Sequence, residues 1–410
     1  MSEEKKKILF LIHTLQVGGA EKVLVNLVNK MDKKKFDVTV MTVINTGAFR
    51  SELDKDITYK TIFDIKLLNK KQKSKSKEKS GNLLDNPNLI KKIAVKLYQF
   101  FWRNIDCKKI YKKYITEDYD VEVAFLEGIS AKIIANSTNK KSKKISWIHV
   151  DLLNETKTER FFKNIEEEKN IYQKFNKIVA VSEHVKEQFI KKFNINKDKV
   201  LIRYNPIDSE YIIKKALEPI DDVKKENFTL CTVGRLSKQK GYDRLLRIVK
   251  KLNEEKLKYE LWIIGVGAEE ESLREYILKN NLSNVKLLGY KSNPYKYIKA
   301  SDLFVCSSRA EGFSTVVSEA IVLEKPIIAT KCSGMKELLG ENEEYGIVCE
   351  NSTNALYASI KKILEEKNEY DLLKEKIKER KEIFDIDKSI KRIEQLLLNW
   401  ERELWVKKKS

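Results

Sequence analysis

Short runs of apolar and β-branched residues alternate along the chain with longer amphipathic runs of helical period. The first such pair is the apolar run KKILFLIHT, followed by a glycine turn and the amphipathic run AEKVLVNLVNKM. This alternation predicts buried parallel strands joined by helices, an α/β architecture. Further strands are predicted at FDVTVMTVI, VEVAFLE, KKISWIHV and KIVAVS in the first half, and at FTLCTVGRL, YELWIIGVG, NVKLLGY, LFVCSS, KPIIAT and YGIVC in the second.

The break at Asn205-Pro206 divides the chain into two such series. At 410 residues the chain exceeds the usual size of a single domain. We therefore predict an N-terminal Rossmann-like domain over 1–205 and a C-terminal one over 206–386, with the helix at 387–410 packing back on the first. Both domains are predicted to be doubly wound and to face each other across a cleft. Ligands of such sheets bind beyond the carboxyl ends of the strands.

Composition and charge indicate which kinds of partner and which compartment to expect. The formal net charge of +20 favours anionic partners, whether nucleic acid, anionic membrane or phosphorylated small molecules. The five cysteines are dispersed without metal-ligand spacing, which is typical of reduced thiols. The first apolar run is too short for a signal peptide, and no apolar run approaches the length of a membrane span. We expect a cytoplasmic protein, with peripheral contact at the inner face of the membrane still open.

One segment interrupts the α/β pattern. The lysine-rich stretch 69–82 predicts a solvated loop, and the run LIKKIAVKLYQFFWRNI after it predicts a helix that mixes lysines with Phe100, Phe101 and Trp102. Two interpretations remain open for this helix. It either packs on its own domain in the ordinary way, or lies on anionic lipid with its basic and aromatic side chains.

Candidate anion sites follow two of the predicted strands. In VGRLSKQKG, Arg235 and Lys240 flank the entrance of the helix YDRLLRIVKKL, where backbone N–H groups and two cations would suit a diphosphate. In VGGAE, Gly18 and Gly19 permit close approach of a ligand to the backbone at the start of another helix. The GVGAEE stretch lacks the rest of a dinucleotide fingerprint and is interpreted as a structural turn.

A pair of acidic residues completes the pattern. In RAEGFSTVVSEA, Glu311 stands at the mouth of a glycine-containing turn and Glu319 stands about two helical turns later. The segments GGAEKVL, WIHVD, VSEHVKEQF, YNPID, VGRLSKQKG, VKLLGY, EGFSTVVSEA and ATKCSGMKELL with YGIV follow in that order over nearly the whole chain. Together they resemble the retaining glycosyltransferases with the GT-B fold, specifically glycosyltransferase family 4 (glycosyl transferases group 1). The joint occurrence of G-R-x4-K-G and E-x7-E is the most specific part of this resemblance.

The resemblance implies a role for each motif residue. Arg235 and Lys240 would bind the diphosphate of a nucleotide-sugar donor, and Glu319 would bind its ribose hydroxyls. Glu311 and His149 would lie at the reacting sugar and form the catalytic pair. The other donor-binding residues implied are Gly18, Gly19, Leu288, Tyr290, Gly312, Phe313, Ser314 and Thr315. Ser314 stands where the family often has proline.

The function implied is retaining transfer of a sugar of the hexose class, without a metal or other cofactor. The donor would be a UDP-sugar, or next a GDP-sugar. The acceptor would be a glycan or a lipid-linked molecule in surface polysaccharide or glycoconjugate biosynthesis. D-x-D triplets, which hold a metal in other glycosyltransferases, occur here away from the phosphate motifs. Two alternatives stay open: a GT-B nucleotide-sugar epimerase, and a non-catalytic nucleic-acid binder, for which no recognition motif is present.

Overall fold

The computed structural model describes residues 4–16, 18–64, 87–154, 156–380 and 384–399, with side chains of the helix at 87–104 described from Lys96 onward. The predicted lysine-rich loop at 69–82 and the basic end of the C-terminal tail lie outside the described residues. The chain forms two compact units. The first unit contains residues up to Arg203 together with those from Ile390 onward, and the second runs from Tyr204 to Ser389.

In the described part of the first unit, seven parallel strands form one sheet in the order β3-β2-β1-β4-β5-β6-β7. The strands are β1 Lys6–Ile12, β2 Phe36–Ile44, β3 Thr58–Phe63, β4 Val121–Ala124, β5 Lys143–Ile148, β6 Lys177–Ala180 and β7 Val200–Ile202. On the central strand β1, Ile8 pairs with Val38 of β2 on one side and with Val121 of β4 on the other. The residues from Ile8 to Ile12 are fully buried, as expected for a parallel strand covered on both faces.

A second parallel sheet, with six strands among the described residues, forms the core of the second unit in the order β10-β9-β8-β11-β12-β13. The strands are β8 Thr229–Val233, β9 Glu260–Ile264, β10 Val285–Gly289, β11 Leu303–Cys306, β12 Ile327–Thr330 and β13 Ile347–Cys349. The strand order reverses direction between β8 and β11. Loops that leave the carboxyl ends of two such strands diverge, and the crevice between them is where ligands of these sheets bind.

Amphipathic helices connect the strands. The first unit contains α1 Gly19–Lys30, α2 Pro87–Asn104, α3 Cys107–Tyr114, α4 Ile129–Ile134, α5 Ile165–Gln173 and α6 Glu183–Phe193. The second contains α7 Ser209–Ala216, α8 Tyr242–Glu254, α9 Glu270–Lys279, α10 Tyr295–Ala300, α11 Thr315–Val322, α12 Met335–Leu339, α13 Thr353–Glu365 and α14 Lys367–Arg380. In α8 the buried residues Leu245, Ile248, Val249 and Leu252 follow the i, i+3, i+4, i+7 spacing of one helix face.

The last helix, α15 Ile386–Asn399, contributes its later residues to the first unit. Its buried residues in that unit are Ile390, Ile393, Leu396 and Leu397. Glu394 of this helix accepts a hydrogen bond of 2.7 Å from the backbone N–H of Asp32, just after α1. The chain therefore returns to the first unit after it completes the second.

Helix α2, for which the sequence left two interpretations open, has one buried and one exposed aromatic face. Trp102 is 3% exposed and packs edge-on against His13, Phe63 and Phe161 of the first unit. The ring of Phe100 on the same helix is 68% exposed. One face of α2 is therefore part of the core, and the aromatic residues named together in the sequence lie on different faces.

Candidate functional site

Two loops of the second unit are joined at the point where the strand order reverses. The loop Gly234–Lys240 follows β8, and the loop from Ser307 onward follows β11. The hydroxyl of Ser307 donates to the backbone oxygen of Lys240 at 2.8 Å. The backbone N–H of Arg309 donates to the oxygen of Gln239 at 2.7 Å, and the Gln239 amide donates to the oxygen of Ala310 at 3.0 Å. The two predicted motifs thus form one connected structure.

Gly241 ends the first loop in a conformation that glycine adopts readily. Its φ is +70°, and a Cβ atom built there would lie 2.1 Å from the backbone oxygen of Ser307. Only a residue without a side chain allows this approach of the two loops. The last position of the G-R-x4-K-G motif is therefore required by packing.

Arg244 binds the backbone of the second loop. The sequence did not predict this role. It is 4% exposed, and its guanidinium donates to the oxygens of Ser307 at 2.7 and 2.9 Å and of Ser308 at 2.7 Å. A buried arginine is stable when its donors are matched in this way. The available signal was an arginine on the apolar face of α8, three residues after the motif glycine.

The two loops bring Lys240 and Glu311 together. Lys240 Nζ lies 2.6 Å from Glu311 Oε1, and the Ser308 hydroxyl donates to the same oxygen at 2.5 Å. The two side chains are 20% and 10% exposed. Burial alone would lower the pKa of Lys240, but the Glu311 carboxylate outweighs it and raises that pKa. Lys240 is therefore a fixed cation at the carboxyl ends of β8 and β11.

Arg235 lies in the first loop with an exposed side chain. Within the part of the chain that the structure describes, its guanidinium makes no hydrogen bond or ion pair. Next to it, Gly265 and Gly267 of the GVGAEE turn pack on the loop backbone, where Cβ atoms would lie 1.9 Å from the oxygen of Gly234 and 2.3 Å from that of Leu236. The interpretation of this turn as structural agrees with that packing.

Glu319 lies in the middle of α11, eight residues after Glu311. The Tyr295 hydroxyl donates to Glu319 Oε1 at 3.4 Å. Thr315 begins the helix, and Gly312, Phe313 and Ser314 are buried in the turn before it. The first acid therefore stands in the loop beside Lys240, and the second stands on the helix that the loop leads into.

The turn before α11 has a feature that the sequence does not reveal. Ser314 occupies the N-cap position, but its hydroxyl makes no capping bond. The hydroxyl is buried and has no hydrogen-bond partner among the described residues. The ring of Phe313 packs against Tyr204, with ring centroids 5.2 Å apart. The turn is thus held by packing of the Phe313 ring, and the serine hydroxyl does not hold it.

Leu288 and Tyr290 lie at the carboxyl end of β10, the edge strand of the second sheet. The pairing of β10 with β9 shifts register between Leu287 and Gly289, so Leu288 lies in a bulge. Tyr290 is 44% exposed. One strand, β9, lies between β10 and β8, whose carboxyl end carries the loop of Lys240. The structure therefore does not bring these two residues into contact with the Lys240–Glu311 pair.

Gly18, Gly19 and His149 belong to the first unit. Gly18 is the N-cap of α1 with an extended backbone, and Gly19 is the first residue of that helix. His149 follows β5, is 8% exposed, and packs its ring 5.0 Å from that of Phe125. Burial lowers the pKa of His149 to about 3, so the imidazole is neutral near pH 7.

Glu127, which sequence reasoning missed, lies beside His149. Its Oε2 accepts a hydrogen bond of 3.2 Å from the backbone N–H of His149. Burial raises the pKa of this carboxyl to about 7. The available signal was an acid at the end of the predicted strand VEVAFLE and directly before a glycine, as Glu311 also directly precedes a glycine.

Two family models match the chain in succession. "Glycosyltransferase Family 4" matches residues 17–211, and "Glycosyl transferases group 1" matches residues 213–380, so together they span most of the chain. The chain belongs to the GT-B glycosyltransferases of family 4 type. The predicted α/β fold class and the resemblance stated from the motifs are both confirmed.

Curated members of the glycosyltransferases match over part of their length. An N-acetylgalactosamine-N,N'-diacetylbacillosaminyl-diphospho-undecaprenol 4-alpha-N-acetylgalactosaminyltransferase of Campylobacter jejuni is 35% identical over 52% of this chain and 58% of its own. The capsular polysaccharide biosynthesis glycosyltransferase CapM of Staphylococcus aureus is 27% identical over 47% of this chain and 53% of its own. The chain thus spans a little over half the length of these relatives.

The solved glycosyltransferase structures match over nearly the whole chain. Anabaena HepE, in complex with UDP and glucose, superposes with a TM-score of 0.68 at 19% identity, covering 96% of this chain and all of HepE. At this level of identity the match supports the fold alone. Among the described residues, no helix of this glycosyltransferase is long and apolar enough to cross a membrane.

Proposed function

We propose that this protein is a retaining glycosyltransferase that moves a sugar of the hexose class from a UDP-sugar to a glycan or lipid-linked acceptor. The observation that carries the proposal is the Lys240–Glu311 pair, which the two joined loops hold at the carboxyl ends of β8 and β11. A fixed cation at that position suits the diphosphate of a nucleotide sugar. The choice of UDP follows the family resemblance, and HepE, which has the same fold, is solved with UDP and glucose.

The proposed mechanism is the same-face transfer that the family resemblance implies, and the charged side chains act on the leaving group. The bond between the anomeric carbon and the phosphate breaks, and its electron pair leaves with the nucleoside diphosphate. Lys240 and Arg235 stabilise the negative charge that grows on this leaving group. The acceptor oxygen bonds to the anomeric carbon on the same face, and its proton passes to the leaving phosphate. In this proposal the two side chains supply the positive charge, and no metal takes part.

The remaining site residues position the donor. Glu319 accepts hydrogen bonds from the ribose hydroxyls, and Tyr290 lies beside the base. Glu311 and the backbone amides of the turn after it face the transferred sugar. In the first unit, His149 is neutral near pH 7 and can bond a hydroxyl without adding positive charge.

The acceptor is proposed from the relatives. The name of the Campylobacter jejuni relative gives a diphospho-undecaprenol acceptor, and CapM is named for capsular polysaccharide biosynthesis. A lipid-linked, phosphate-bearing acceptor in surface polysaccharide biosynthesis agrees with the net charge of +20. In this proposal the enzyme acts at the cytoplasmic face of an anionic membrane.

Helix α2 is the proposed membrane contact. Leu97, Phe100 and Phe101 are 63%, 68% and 50% exposed on it. Exposed lysines accompany them, Lys96 on α2 and Lys108, Lys109, Lys112 and Lys113 on the adjacent α3. Apolar side chains that enter the lipid and lysines that meet anionic headgroups are the features of an interfacial helix.

Vesicle sedimentation tests this contact. Wild type should pellet with vesicles containing phosphatidylglycerol and not with vesicles of pure phosphatidylcholine. The double variant Phe100→Ser, Phe101→Ser should no longer pellet with the phosphatidylglycerol vesicles. Leu278→Ser is the matched control, because Leu278 is 71% exposed on the second unit. Equal binding of the double variant and the control would contradict the proposed surface.

A transfer assay in EDTA tests the proposed reaction. Wild type is incubated with a panel of UDP- and GDP-sugars and with N-acetylgalactosamine linked to a short polyprenyl diphosphate, and the product is analysed by NMR. We expect transfer from a UDP-sugar with the anomeric configuration of the donor preserved. An inverted product, activity that returns only with added metal, or epimerised donor without transfer would contradict the proposal.

A further inference from the structure

Three neighbouring strands of the first unit end in titratable side chains. The strands β1, β4 and β5 are adjacent in the sheet, with Leu11 paired to Ala124 and Ala124 to Ser146 near their carboxyl ends. His13 follows β1, Glu127 follows β4 and His149 follows β5. Polar residues that follow parallel strands in this way lie at the edge where such sheets bind ligands.

His149 has an unmet hydrogen-bonding nitrogen at this edge. The residue is more than nine-tenths buried, and its Nε2 atom is also buried. Among the described residues, this Nε2 has no hydrogen-bond partner. The neutral ring has one donor nitrogen and one acceptor nitrogen. A buried ring nitrogen without a partner indicates a ligand that bonds to it.

The carboxyl of Glu127 contacts the backbone of the same residue, since its Oε2 accepts a hydrogen bond from the backbone N–H of His149 at 3.2 Å. The charged and titratable groups that face it are Glu21 on α1 and Glu168 and Tyr172 on α5. The two carboxylates raise the pKa of Glu127 in addition to the larger effect of burial. The pKa of about 7 that results places the change of charge within the range where enzymes work.

The position of α2 indicates which substrate arrives at this edge. The ring of Trp102 on α2 packs 6.4 Å from that of His13, and it is 5.1 Å from the ring of the exposed Phe101. A continuous row of aromatic contacts therefore runs within the first unit from the proposed membrane surface to the end of β1. A lipid-linked molecule bound at α2 would therefore lie on the helix that packs against the end of β1.

We propose that Glu127 is the ligand of the acceptor hydroxyl that receives the sugar, with its ionised carboxylate accepting a hydrogen bond from that hydroxyl beside His149. This inference rests on the proposed function, and it adds the residue that binds the second substrate. The carboxylate orients the attacking oxygen, while the proton still leaves with the phosphate. A protonated Glu127 loses the acceptor role, so acceptor binding weakens as the pH falls.

Steady-state kinetics of Glu127→Gln test the role with the substrates of the transfer assay. The acceptor KM should rise at least about tenfold, because the hydrogen bond to the substrate hydroxyl loses the negative charge of its acceptor. The KM for the UDP-sugar and its slow hydrolysis by water should stay at the wild-type values. Glu127→Asp should recover part of the acceptor affinity, and the exposed Glu166→Gln on α5 is the matched control. An acceptor KM unchanged in Glu127→Gln would overturn the inference.

The pH profile supplies a second test that does not depend on the folding of that variant. In wild type, kcat/KM for the acceptor should fall below about pH 7, following the pKa of Glu127. Glu168→Gln removes a neighbouring negative charge and should move this fall to lower pH. A profile that stays in place in Glu168→Gln overturns the inference. If wild type transfers no sugar at all, the proposed function fails first, so the two failures are distinguishable.

Discussion

At the scale of single residues, the Lys240–Glu311 pair carries both stability and the proposed chemistry. The pair is largely buried, and the carboxylate has one further partner, Ser308. A buried charge that loses its partner destabilises the fold, since the desolvation of that charge is no longer offset. In the donor complex the ammonium would share its remaining N–H donors with the diphosphate. The same atom thus supports the loop and binds the substrate.

Lys240→Met tests this double role. We expect the second unit to lose about 2 kcal/mol of unfolding free energy, because Glu311 keeps only the Ser308 bond. UDP affinity should fall at least about tenfold, as a charged donor to the diphosphate is removed. Urea denaturation and calorimetric titration with UDP measure the two effects. Lys238→Met is the control, since that side chain is exposed in the same loop; equal effects of the two variants would count against the assigned role.

At the scale of elements, the site depends on the approach of two loops that only glycine permits. Gly241 has a φ of +70° and Gly289 has a φ of +69°, so both occupy the left-handed region. A Cβ at Gly241 would meet the Ser307 oxygen at 2.1 Å, whereas a Cβ at Gly289 would have nothing within 4 Å. A side chain at Gly289 would therefore strain only the backbone conformation, whereas a side chain at Gly241 would also clash with the second loop.

Alanine at each position makes this comparison. Gly289→Ala should cost about 1 kcal/mol, the penalty of a left-handed conformation for a residue with a Cβ. Gly241→Ala should cost more than about 2 kcal/mol and weaken UDP binding, because it also pushes the two loops apart. Denaturant unfolding and UDP titration on both variants measure the difference. Equal stability losses would show that the contact of Gly241 with Ser307 contributes nothing.

The elements also show what the sequence could and could not predict. Buried strands such as β1 and β8 were predicted, because a parallel strand covered on both faces reads as a continuous apolar run. Thr58–Phe63 and Val200–Ile202 were not predicted as strands. Both lie at an edge of the first sheet, where part of the strand is exposed. Polar residues interrupt the apolar pattern of Thr58–Phe63, and Val200–Ile202, with three residues, is too short to show a pattern.

The candidate site was also predictable in part. Motif spacing pointed to Lys240 and Glu311, and the structure places their side chains in contact. Arg244 and Glu127 were not predicted, because their importance depends on tertiary contacts with Ser307 and with the backbone of His149. Trp102 was grouped with Phe100 and Phe101 by composition, while helix rotation places it in the core.

At the scale of the whole molecule, buried titratable groups in the first unit act on stability with opposite signs. Burial lowers the pKa of His149 to about 3 and that of His13 to about 4. Burial raises the pKa of Glu127 and Glu168 to about 7. Below about pH 6.5 the unfolded histidines bind protons that the folded ones do not, so folding weakens as the pH falls. Between about pH 7 and 4.5 the folded carboxyls bind the extra protons, so folding strengthens.

These opposing effects predict a stability that changes little between about pH 7 and 5 in wild type. Glu127→Gln combined with Glu168→Gln removes the carboxyl contribution and leaves that of the histidines. The double variant should then lose stability steadily as the pH falls through this window. Urea midpoints at several pH values measure the effect. A double variant whose midpoint is as constant as that of wild type would contradict the assigned protonation states.

The central claim is that the second unit binds a nucleoside diphosphate through the paired loops and Glu319, and a thermal shift with UDP in EDTA tests it most directly. Wild type should melt about 5 °C higher in a hundredfold excess of UDP over Kd. Glu319→Ala should show little shift, while the exposed control Glu271→Ala on α9 should behave as wild type. No shift of wild type with UDP, or an equal shift of wild type and Glu319→Ala, would contradict the account.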